Sequence, residues 1–387
     1  MAAMEKNNKT LNVPNLRFPE FSGEWEIHKL SEYLDFKNGL NPDAKRFGRG
    51  LPFISVMDIL ADRVICYDNI RAKVEATDKE IECFGVNKGD LLFQRSSETF
   101  EDVGRANVYM DNRTAIYGGF VIRGRKIGNY DPLFFKYLLA TPLARKRTCR
   151  MGAGAQHFNI GQEGLSKISL HFPSIKEQSK IANLFSLIDE RVETQKKIIE
   201  KYESLIRGLY HSVFNQTAST LQLKDVVSVV KGQQVNGEEL LEYGKYYVMN
   251  GGTEPSGYLD VCNTPANTIS ISEGGNSCGY VQYNTEPFWS GGHCYSLIQK
   301  EQSVNYQYLY YFLKYKERNI MALRIGSGLP NVQKKDLERF EIRVLPTKQQ
   351  NRVAEILADV SAKCDLEKRI LLGWQCQKSY LLHNLFI

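Results

Sequence analysis

The sequence predicts an α+β protein that contains two similar mixed α/β segments, each followed by one long helix. Two observations lead to this fold class. Residues from Pro173 to Phe214 are matched by residues from Pro346 to Phe386, with most equivalent positions 172 residues apart. The chain before each stretch also repeats one order of short apolar runs, paired glycines and an aromatic helix. We therefore expect one domain and one long helix to occur twice.

Both long stretches have apolar residues at the alternating three- and four-residue steps of a coiled coil. At 1.5 Å per residue each helix would extend about 48 Å, which suits a spacer. Gln195 is the polar position of the first seam, and its counterpart Glu367 is polar as well. The apolar seam consists of Ile181, Phe185, Ile188, Val192, Ile199, Tyr202, Ile206, Leu209, Val353, Leu357, Val360, Leu371, Trp374 and Leu381. The alternative is a pair of unrelated amphipathic helices.

Length and patterning divide the chain into five parts. We expect an N-terminal extension at 1–23, a first domain at 24–172, a first long helix at 173–215, a second domain at 216–345 and a second long helix at 346–387. The 42% hydrophobic content of the 387 residues supports real cores.

In the first domain, a turn at Lys88-Gly89-Asp90 leads into a strand at 91–93, and paired glycines follow Tyr117. In the second domain, a strand at 268–272 leads into a glycine loop, and paired glycines precede His293. Aromatic helices are expected at 132–139 and 306–315. Each is followed by basic residues and a glycine loop, which suits phosphate contact, although a solvated helix face is the alternative. The basic residues are Arg145, Lys146, Arg147 and Arg150 in the first domain, and Lys314, Lys316, Arg318 and Arg324 in the second.

Composition restricts the class of partner. A net charge of +6 is compatible with a polyanionic partner without proving one. The eight cysteines form no Cys-x-x-Cys pair, which argues against structural zinc and indicates reduced thiols in a cytoplasm. The first ten residues are polar, and no apolar run reaches the length of about 18 residues that spans a membrane. We therefore expect neither secretion nor membrane insertion.

Motifs that carry catalysis are missing. The sequence has no phosphate-binding loop, dinucleotide fingerprint, nucleophile elbow or metalloprotease helix. Glu98, Glu101 and Asp102 could chelate a metal, but solvated loop charges are the more usual explanation. His157 and His293 flank glycine loops and could contact a ligand. We predict no catalytic residue and no metal site.

A distinctive set of residues extends from the junction before the first long helix into the start of that helix. It consists of Gln156, Asn159, Ile160, Leu165, Ile168, Pro173, Glu177, Gln178, Ile181, Ala182, Leu187, Ile188 and Asp189. Its residues resemble the conserved central region of the DNA specificity subunits of type I restriction-modification systems, and the likeness extends over the whole chain. The second copy departs from the pattern at Gln349 and at Ser361, which replaces Asp189.

The resemblance implies an architecture and a function. Two target recognition domains would be separated by an antiparallel coiled coil of the long helices, with pseudo-twofold internal symmetry. The subunit would do no chemistry and bind no cofactor. Each domain would read one half of a bipartite double-stranded DNA target, and the helices would dock two methyltransferase subunits that use S-adenosylmethionine. Restriction subunits that use ATP and magnesium would complete the assembly in a prokaryotic cytoplasm.

Candidate DNA contacts follow the strands and the glycine loops, where side chains can reach base edges. In the first domain they are Gln94, Arg95, Ser96, Ser97, Arg123, Arg125, Gln156 and His157. In the second domain they are Ser272, Glu273, Asn276, His293, Ser327 and Asn331.

Two other classes of function remain open from the sequence. The chain could be a coiled-coil adaptor that joins two protein-binding modules without DNA, or an enzyme that methylates or cuts DNA alone. The absence of an Asn-Pro-Pro-Phe-type motif of amino-methylases argues against the enzyme.

Overall fold

A computed structural model of the chain describes residues 12–154, 156–300, 303–326, 328 and 330–387. The chain divides into two compact units. Unit 1 comprises residues up to Lys196 together with Arg369–Ile387, and unit 2 comprises Lys197–Lys368. Each unit therefore contains one domain and part of both long helices.

The elements of unit 1 lead up to the first long helix, α6. The strands are β1 (Glu26–Lys29), β2 (Leu34–Asn38), β3 (Phe47–Ile54), β4 (Lys73–Val74), β5 (Gly85–Val86), β6 (Leu91–Gln94), β7 (Ser96–Ser97), β8 (Ala106–Val108), β9 (Ala115–Tyr117), β10 (Val121–Lys126), β11 (Phe158–Asn159) and β12 (Ser169–Phe172). The helices are α1 (Val56–Leu60), α2 (Asp78–Phe84), α3 (Pro132–Ala140), α4 (Pro142–Cys149), α5 (Gln162–Ser166) and α6 (Ile175–Phe214), with 3₁₀ turns at Leu30–Glu32, Ala44–Arg46 and Tyr67–Asn69.

The elements of unit 2 lead in the same way to the second long helix, α11. The strands are β13 (Ser219–Gln222), β14 (Val227–Lys231), β15 (Tyr246–Met249), β16 (Tyr258–Leu259), β17 (Thr268–Ser272), β18 (Val281–Asn284), β19 (Trp289–Ser290), β20 (Cys294–Gln299) and β21 (Glu341–Val344). The helices are α7 (Leu223–Val226), α8 (Tyr306–Tyr315), α9 (Glu317–Met321), α10 (Lys334–Glu338) and α11 (Thr347–Asn384), with a 3₁₀ turn at Gly237–Glu239.

The central sheet has the same topology in both units. Its strand order is β2-β10-β6-β8 in unit 1 and β14-β20-β17-β18 in unit 2, and every neighbouring pair is antiparallel. A two-stranded sheet, β1-β12 or β13-β21, precedes each long helix. The second sheets differ, with order β4-β3-β9-β5 in unit 1 and β16-β15-β19 in unit 2. The two domains are thus copies of one fold with different additions.

A buried glutamine joins each long helix to its domain. The side-chain oxygen of Gln178 accepts the N–H of Asp131 (3.0 Å), and its amide donates to the carbonyl of Pro173 (3.0 Å). In unit 2 the oxygen of Gln350 accepts the N–H of Asn305 (2.7 Å), and its amide donates to Leu345 (2.7 Å). Asp131 and Asn305 are the N-cap residues of α3 and α8. The two glutamines therefore make equivalent contacts in the two units.

An ion pair beside the first of these glutamines has no counterpart among the described residues of unit 2. The carboxylate of Glu177, 1% exposed, accepts two hydrogen bonds from the Arg17 guanidinium, at 2.8 and 2.7 Å. The matching residue of unit 2 is Gln349, which is exposed. The ion pair attaches the segment that precedes β1 to the first turn of α6.

Segments of both long helices pack into the core of each unit. In unit 1, Phe185 of α6 lies 5.7 Å from Phe386 between ring centroids, and Asp189 pairs with Lys378. From the first contact to the second, the residue number rises from 185 to 189 in α6 and falls from 386 to 378 at the other segment. These segments therefore run antiparallel. In unit 2, Glu203 pairs with Lys368 at 3.0 Å. Each of the fourteen predicted seam residues is buried or half-buried.

Candidate nucleic-acid interface

In unit 1 the polar candidates meet at one end of the central sheet. Arg95 follows β6, where its N–H donates to the carbonyl of Phe120 (2.9 Å) and its own carbonyl accepts the N–H of Ile160 (3.0 Å). The short strands β7 and β11 pair Ser96 with Asn159. We call this region loop cluster 1, and it contains residues 95–97, 119–120, 153–154 and 156–160.

In unit 2 the same backbone contacts recur. The N–H of Glu273 donates to the carbonyl of His293 (2.8 Å), and its carbonyl accepts the N–H of Val332 (2.8 Å). Asn331 and Ile325 exchange two backbone hydrogen bonds, at 2.8 and 3.0 Å. We call this region loop cluster 2, and it contains residues 273–276, 291–293, 325–326 and 330–332.

The matched hydrogen bonds identify equivalent positions in the two clusters. Arg95 occupies the position of Glu273, and Phe120 occupies the position of His293, because each pair makes the same contacts to its sheet. Asn159 corresponds to Asn331 in the same way. The frame is therefore shared, whereas two of the three side chains differ in chemistry.

Several side chains of loop cluster 1 are open to solvent. Gln156, His157 and Asn159 are exposed, and Phe120 is an exposed large hydrophobic residue at 68%. Arg95 is half-buried, and its guanidinium makes one long hydrogen bond, 3.4 Å to the carbonyl of Gly119. Such a weakly held guanidinium can turn toward a ligand.

Three of the predicted DNA contacts of unit 1, Gln94, Ser97 and Arg123, are buried instead. Arg123 is 2% exposed, donates to the carbonyl of Gly85 and lies 5.3 Å above the Tyr117 ring. Burial lowers the pKa of its guanidinium. Arg125 approaches the same carbonyl at 3.5 Å. Gln94 and Ser97 are 5% and 9% exposed. We correct the assignment of the three buried side chains as base contacts for this reason, whereas Arg125 is half-buried and remains a candidate.

The basic residues of α4 also divide into two groups. Arg145 donates to the carbonyl of Val103 (2.6 Å), and Arg147 donates to the carbonyl of Ser169. Both side chains therefore stabilise loops and strands. Lys146 and Arg150 are exposed, so they remain the candidates for phosphate contact in this helix.

Loop cluster 2 is organised around the Glu273 carboxylate. Glu273 is 9% exposed, and its Oε1 accepts hydrogen bonds from Lys231 Nζ (2.8 Å) and Tyr295 Oη (3.0 Å). Burial, and then this hydrogen bond, raise the pKa of Tyr295. The imidazole of His293 is exposed beside the carboxylate. The cluster thus presents an exposed histidine beside a buried carboxylate.

The other candidates of unit 2 have separate places. Ser272 is 5% exposed, and its hydroxyl donates to the carbonyl of Gly252 (3.3 Å), so it is structural. Asn276 is exposed, and Asn331 is half-buried with its side-chain oxygen bound by Gln333 (2.9 Å). Ser327 lies outside the described residues.

The described residues contain neither a cluster of metal ligands nor a helix that could cross a membrane. No group of three or more His, Cys, Asp or Glu side chains among them is placed to hold a metal ion. Asp102 of the predicted acidic loop pairs with Arg105 at 2.8 Å. In the same part of the chain, no helix is both long and apolar enough to cross a membrane.

The family is decided by the two repeated segments. Residues 22–204 and residues 215–372 each match the type I restriction modification DNA specificity domain. The chain belongs to this family. Each match covers one domain and most of the long helix that follows it, so the specificity domain occurs twice, as the internal repeat indicates.

Named specificity subunits resemble the chain over much of its length. A putative type I specificity subunit of Mycoplasma genitalium is 26% identical over 278 residues, which are 66% of this chain and 72% of the relative. A putative type I restriction enzyme specificity subunit of Methanocaldococcus jannaschii is 21% identical over 401 residues, with 93% of this chain and 92% of the relative covered. The crystal structure of a type I system S subunit from M. genitalium superposes with a TM-score of 0.75 at 19% identity, over 97% of this chain and 99% of that one. This last similarity shows a shared fold.

The structure identifies three residues at or beside the loop clusters that the sequence patterns did not single out. Phe120 is one of them, although the paired glycines before it and before His293 offered a signal. Lys231 and Tyr295 are the others, because they hold Glu273 from strands β14 and β20. Their role follows from strand pairing, since Tyr295 lies opposite Lys231 in the central sheet.

Proposed function

We propose that the chain is a non-catalytic specificity subunit in which each unit reads one half of a bipartite DNA target. The observation that carries this proposal is the occurrence of equivalent loop clusters at the same end of equivalent sheets. Side chains that donate or accept hydrogen bonds on a rigid sheet suit direct readout of base edges. The difference in side chains between the clusters suits an asymmetric target.

Positive charge supports the same proposal, with the charge of Lys231 at loop cluster 2 paired with Glu273. Arg95 is half-buried in loop cluster 1, and Lys231 is exposed at loop cluster 2. The chain as a whole carries a net charge of +6. Lysine and arginine near phosphates position a protein on DNA without reading sequence, so we assign Lys146 and Arg150 to this role.

The long helices have a separate task in this proposal. We infer that their seams form an antiparallel coiled coil that sets the distance between half-sites, while their outer faces dock two methyltransferase subunits. Apolar residues on α6 and α11 remain exposed outside the seam, among them Leu187, Leu205, Leu366, Leu372 and Tyr380. S-adenosylmethionine, and ATP and magnesium for restriction, would be used by partner subunits, so this chain needs no cofactor of its own.

Methylome sequencing of a strain that expresses the chain with its methyltransferase subunits tests the readout. We expect one bipartite, asymmetric methylated sequence that disappears when the chain is deleted. Binding of the purified complex to a duplex with this sequence should weaken steeply as salt rises, because phosphate contacts release counterions. Binding to no duplex at any salt concentration would favour the coiled-coil adaptor.

An insertion variant tests the spacer. One extra heptad in each long helix, placed after Gln195 and after Glu367, adds about 10 Å of helix. We expect the spacer of the target to lengthen by about three base pairs at about 3.4 Å per pair, with both half-sites unchanged. Altered half-site bases in the methylome would contradict a pure spacer role.

A further inference from the structure

Loop cluster 2 contains a buried carboxylate oxygen that has no hydrogen bond. Oε1 of Glu273 is bound by Lys231 and Tyr295, whereas the buried Oε2 has no partner among the described residues. A buried acceptor without a donor destabilises the folded protein. A donor that reaches this oxygen therefore stabilises the cluster.

The imidazole of His293 is the neighbouring group that can supply the donor. Its Nδ1 lies 3.8 Å from Glu273 Oε2, which exceeds the hydrogen-bond range of about 2.7–3.2 Å by less than 1 Å. The backbone of His293 is fixed on both sides, because its N–H donates to Asn250 Oδ1 (3.0 Å) and its carbonyl accepts the N–H of Glu273 (2.8 Å). A small rotation of the side chain is enough to close the gap.

Two glycines border the His293 side chain at this position. A Cβ atom at Gly274 would lie 3.7 Å from Nδ1 of His293. A Cβ atom at Gly251, where φ is +85°, would lie 3.0 Å from Cβ of His293. The distance at Gly274 is an ordinary van der Waals contact, whereas the one at Gly251 is tight, so a side chain at Gly251 would press on His293. The His293 side chain remains 60% exposed.

We propose that Glu273 is a positioning residue that holds His293 with its proton on Nδ1, which makes Nε2 the hydrogen-bond acceptor that reads DNA. A neutral histidine carries its proton on one of the two ring nitrogens. The hydrogen bond that one nitrogen makes determines which nitrogen is protonated. An acceptor in the major groove selects the exocyclic amino group of adenine or cytosine. This inference rests on the proposed function, and it names the chemistry of one base in the half-site read by unit 2.

The same readout is not available to unit 1. Its equivalent positions are Arg95 and Phe120, which supply neither a carboxylate nor an imidazole. An arginine selects guanine, whose major-groove edge carries two acceptors. We therefore expect no amino-group preference from these two positions of unit 1.

Nitrogen-15 NMR of the full chain, labelled at histidine, tests the tautomer directly at about pH 8, with His293→Ala identifying the signal. We expect Nδ1 protonated and Nε2 unprotonated in the wild-type protein. The Glu273→Gln variant should place an amide donor against Nδ1 and move the proton to Nε2. The exposed Glu238→Gln, also in unit 2, is the matched control and should leave the signal unchanged. A wild-type proton on Nε2, or one shared equally, would overturn the inference whether or not the variant folds.

Binding of the complex with methyltransferase subunits to duplexes that differ at single half-site positions tests the readout. At one base pair of the second half-site we expect Glu273→Gln to lower the preference for adenine or cytosine by about tenfold, the effect of one good base contact. Glu238→Gln should keep the wild-type preference. Unchanged preferences in both Glu273→Gln and His293→Ala overturn the inference alone. A wild-type complex that binds no duplex overturns the proposed function with it.

Discussion

Loop clusters 1 and 2 have the same backbone and opposite chemistry at one position. Arg95 and Glu273 each donate an N–H to the strand beside them, at 2.9 and 2.8 Å, and each accept one from the segment before the long helix, at 3.0 and 2.8 Å. One side chain is cationic and half-buried, whereas the other is anionic and 9% exposed. Because main-chain hydrogen bonds hold the loops, their side chains can change without loss of the frame.

Where the domains meet the long helices, by contrast, the buried glutamine side chain is the same in both units. Gln178 and Gln350 make the same pair of hydrogen bonds in the two units. They are 3% and 1% exposed. A residue that satisfies buried backbone groups has few substitutes, since each lost partner leaves an unpaired polar atom. The molecule thus separates positions that maintain the fold from positions that vary in chemistry.

Arg17→Ala should give the largest difference between the two units. It leaves the Glu177 carboxylate, which is 1% exposed, without its cation, and breaking such a pair costs about 3 kcal/mol. We expect faster hydrogen exchange in β1 and β12, measured by mass spectrometry, and no change in β13 and β21. Equal acceleration in both units would show that the pair does not act locally.

Gln178→Ala and Gln350→Ala should sharpen the similarity of the two units. Each removes an acceptor for a helix-capping backbone N–H and a donor to a buried carbonyl, which costs about 2 kcal/mol. We expect each variant to increase hydrogen exchange by a similar factor in its own unit. Gln349→Ala is the matched control, because this neighbour is exposed and should cause no change. A large effect in one unit and none in the other would contradict equivalence of the two joints.

Arg95→Ala tests whether the charge difference between the clusters is read as DNA sequence. The variant should lower discrimination at one base pair of one half-site by about tenfold, corresponding to about 1.4 kcal/mol. Methylome sequencing with competitive binding measures this effect. A uniform loss of binding to all duplexes would reassign Arg95 to phosphate contact.

Phe120→Ala should give the smallest effect. The side chain is 68% exposed, so its loss should change thermal stability by less than about 0.5 kcal/mol. If Phe120 contacts a thymine methyl group, discrimination at that base should fall a few-fold. Calorimetry and single-position binding assays check the two parts. A large loss of stability would show that Phe120 belongs to the core.

The repeated fold could be predicted from the sequence because its signals are periodic. The seam of α6 and α11 follows the heptad step, and the two central sheets follow the repeated glycines and apolar runs. The position of Arg123 could not be predicted in this way. An arginine in a strand usually faces solvent, but β10 lies between β2 and β6. Its Ile122 and Val121 belong to different cores, so both faces of the strand are covered.

The environment of Glu273 was equally hidden from the sequence. A glutamate before two glycines in a loop is most often solvated. Here Lys231 and Tyr295, which are distant in sequence, meet across the central sheet and surround one carboxylate oxygen. Such a site depends on strand register, which local patterns do not specify.

Phe386, which lies just after the second long helix, packs against Trp25, Phe134 and Phe185 in the core of unit 1. On the ribosome, domains generally fold in the order of their synthesis. This arrangement reverses the order in which the two domains complete their cores. The first domain to emerge waits for the aromatic ring that closes its core until the second domain has already been translated. A premature stop codon a few residues before Phe386 would therefore damage the domain that was made first.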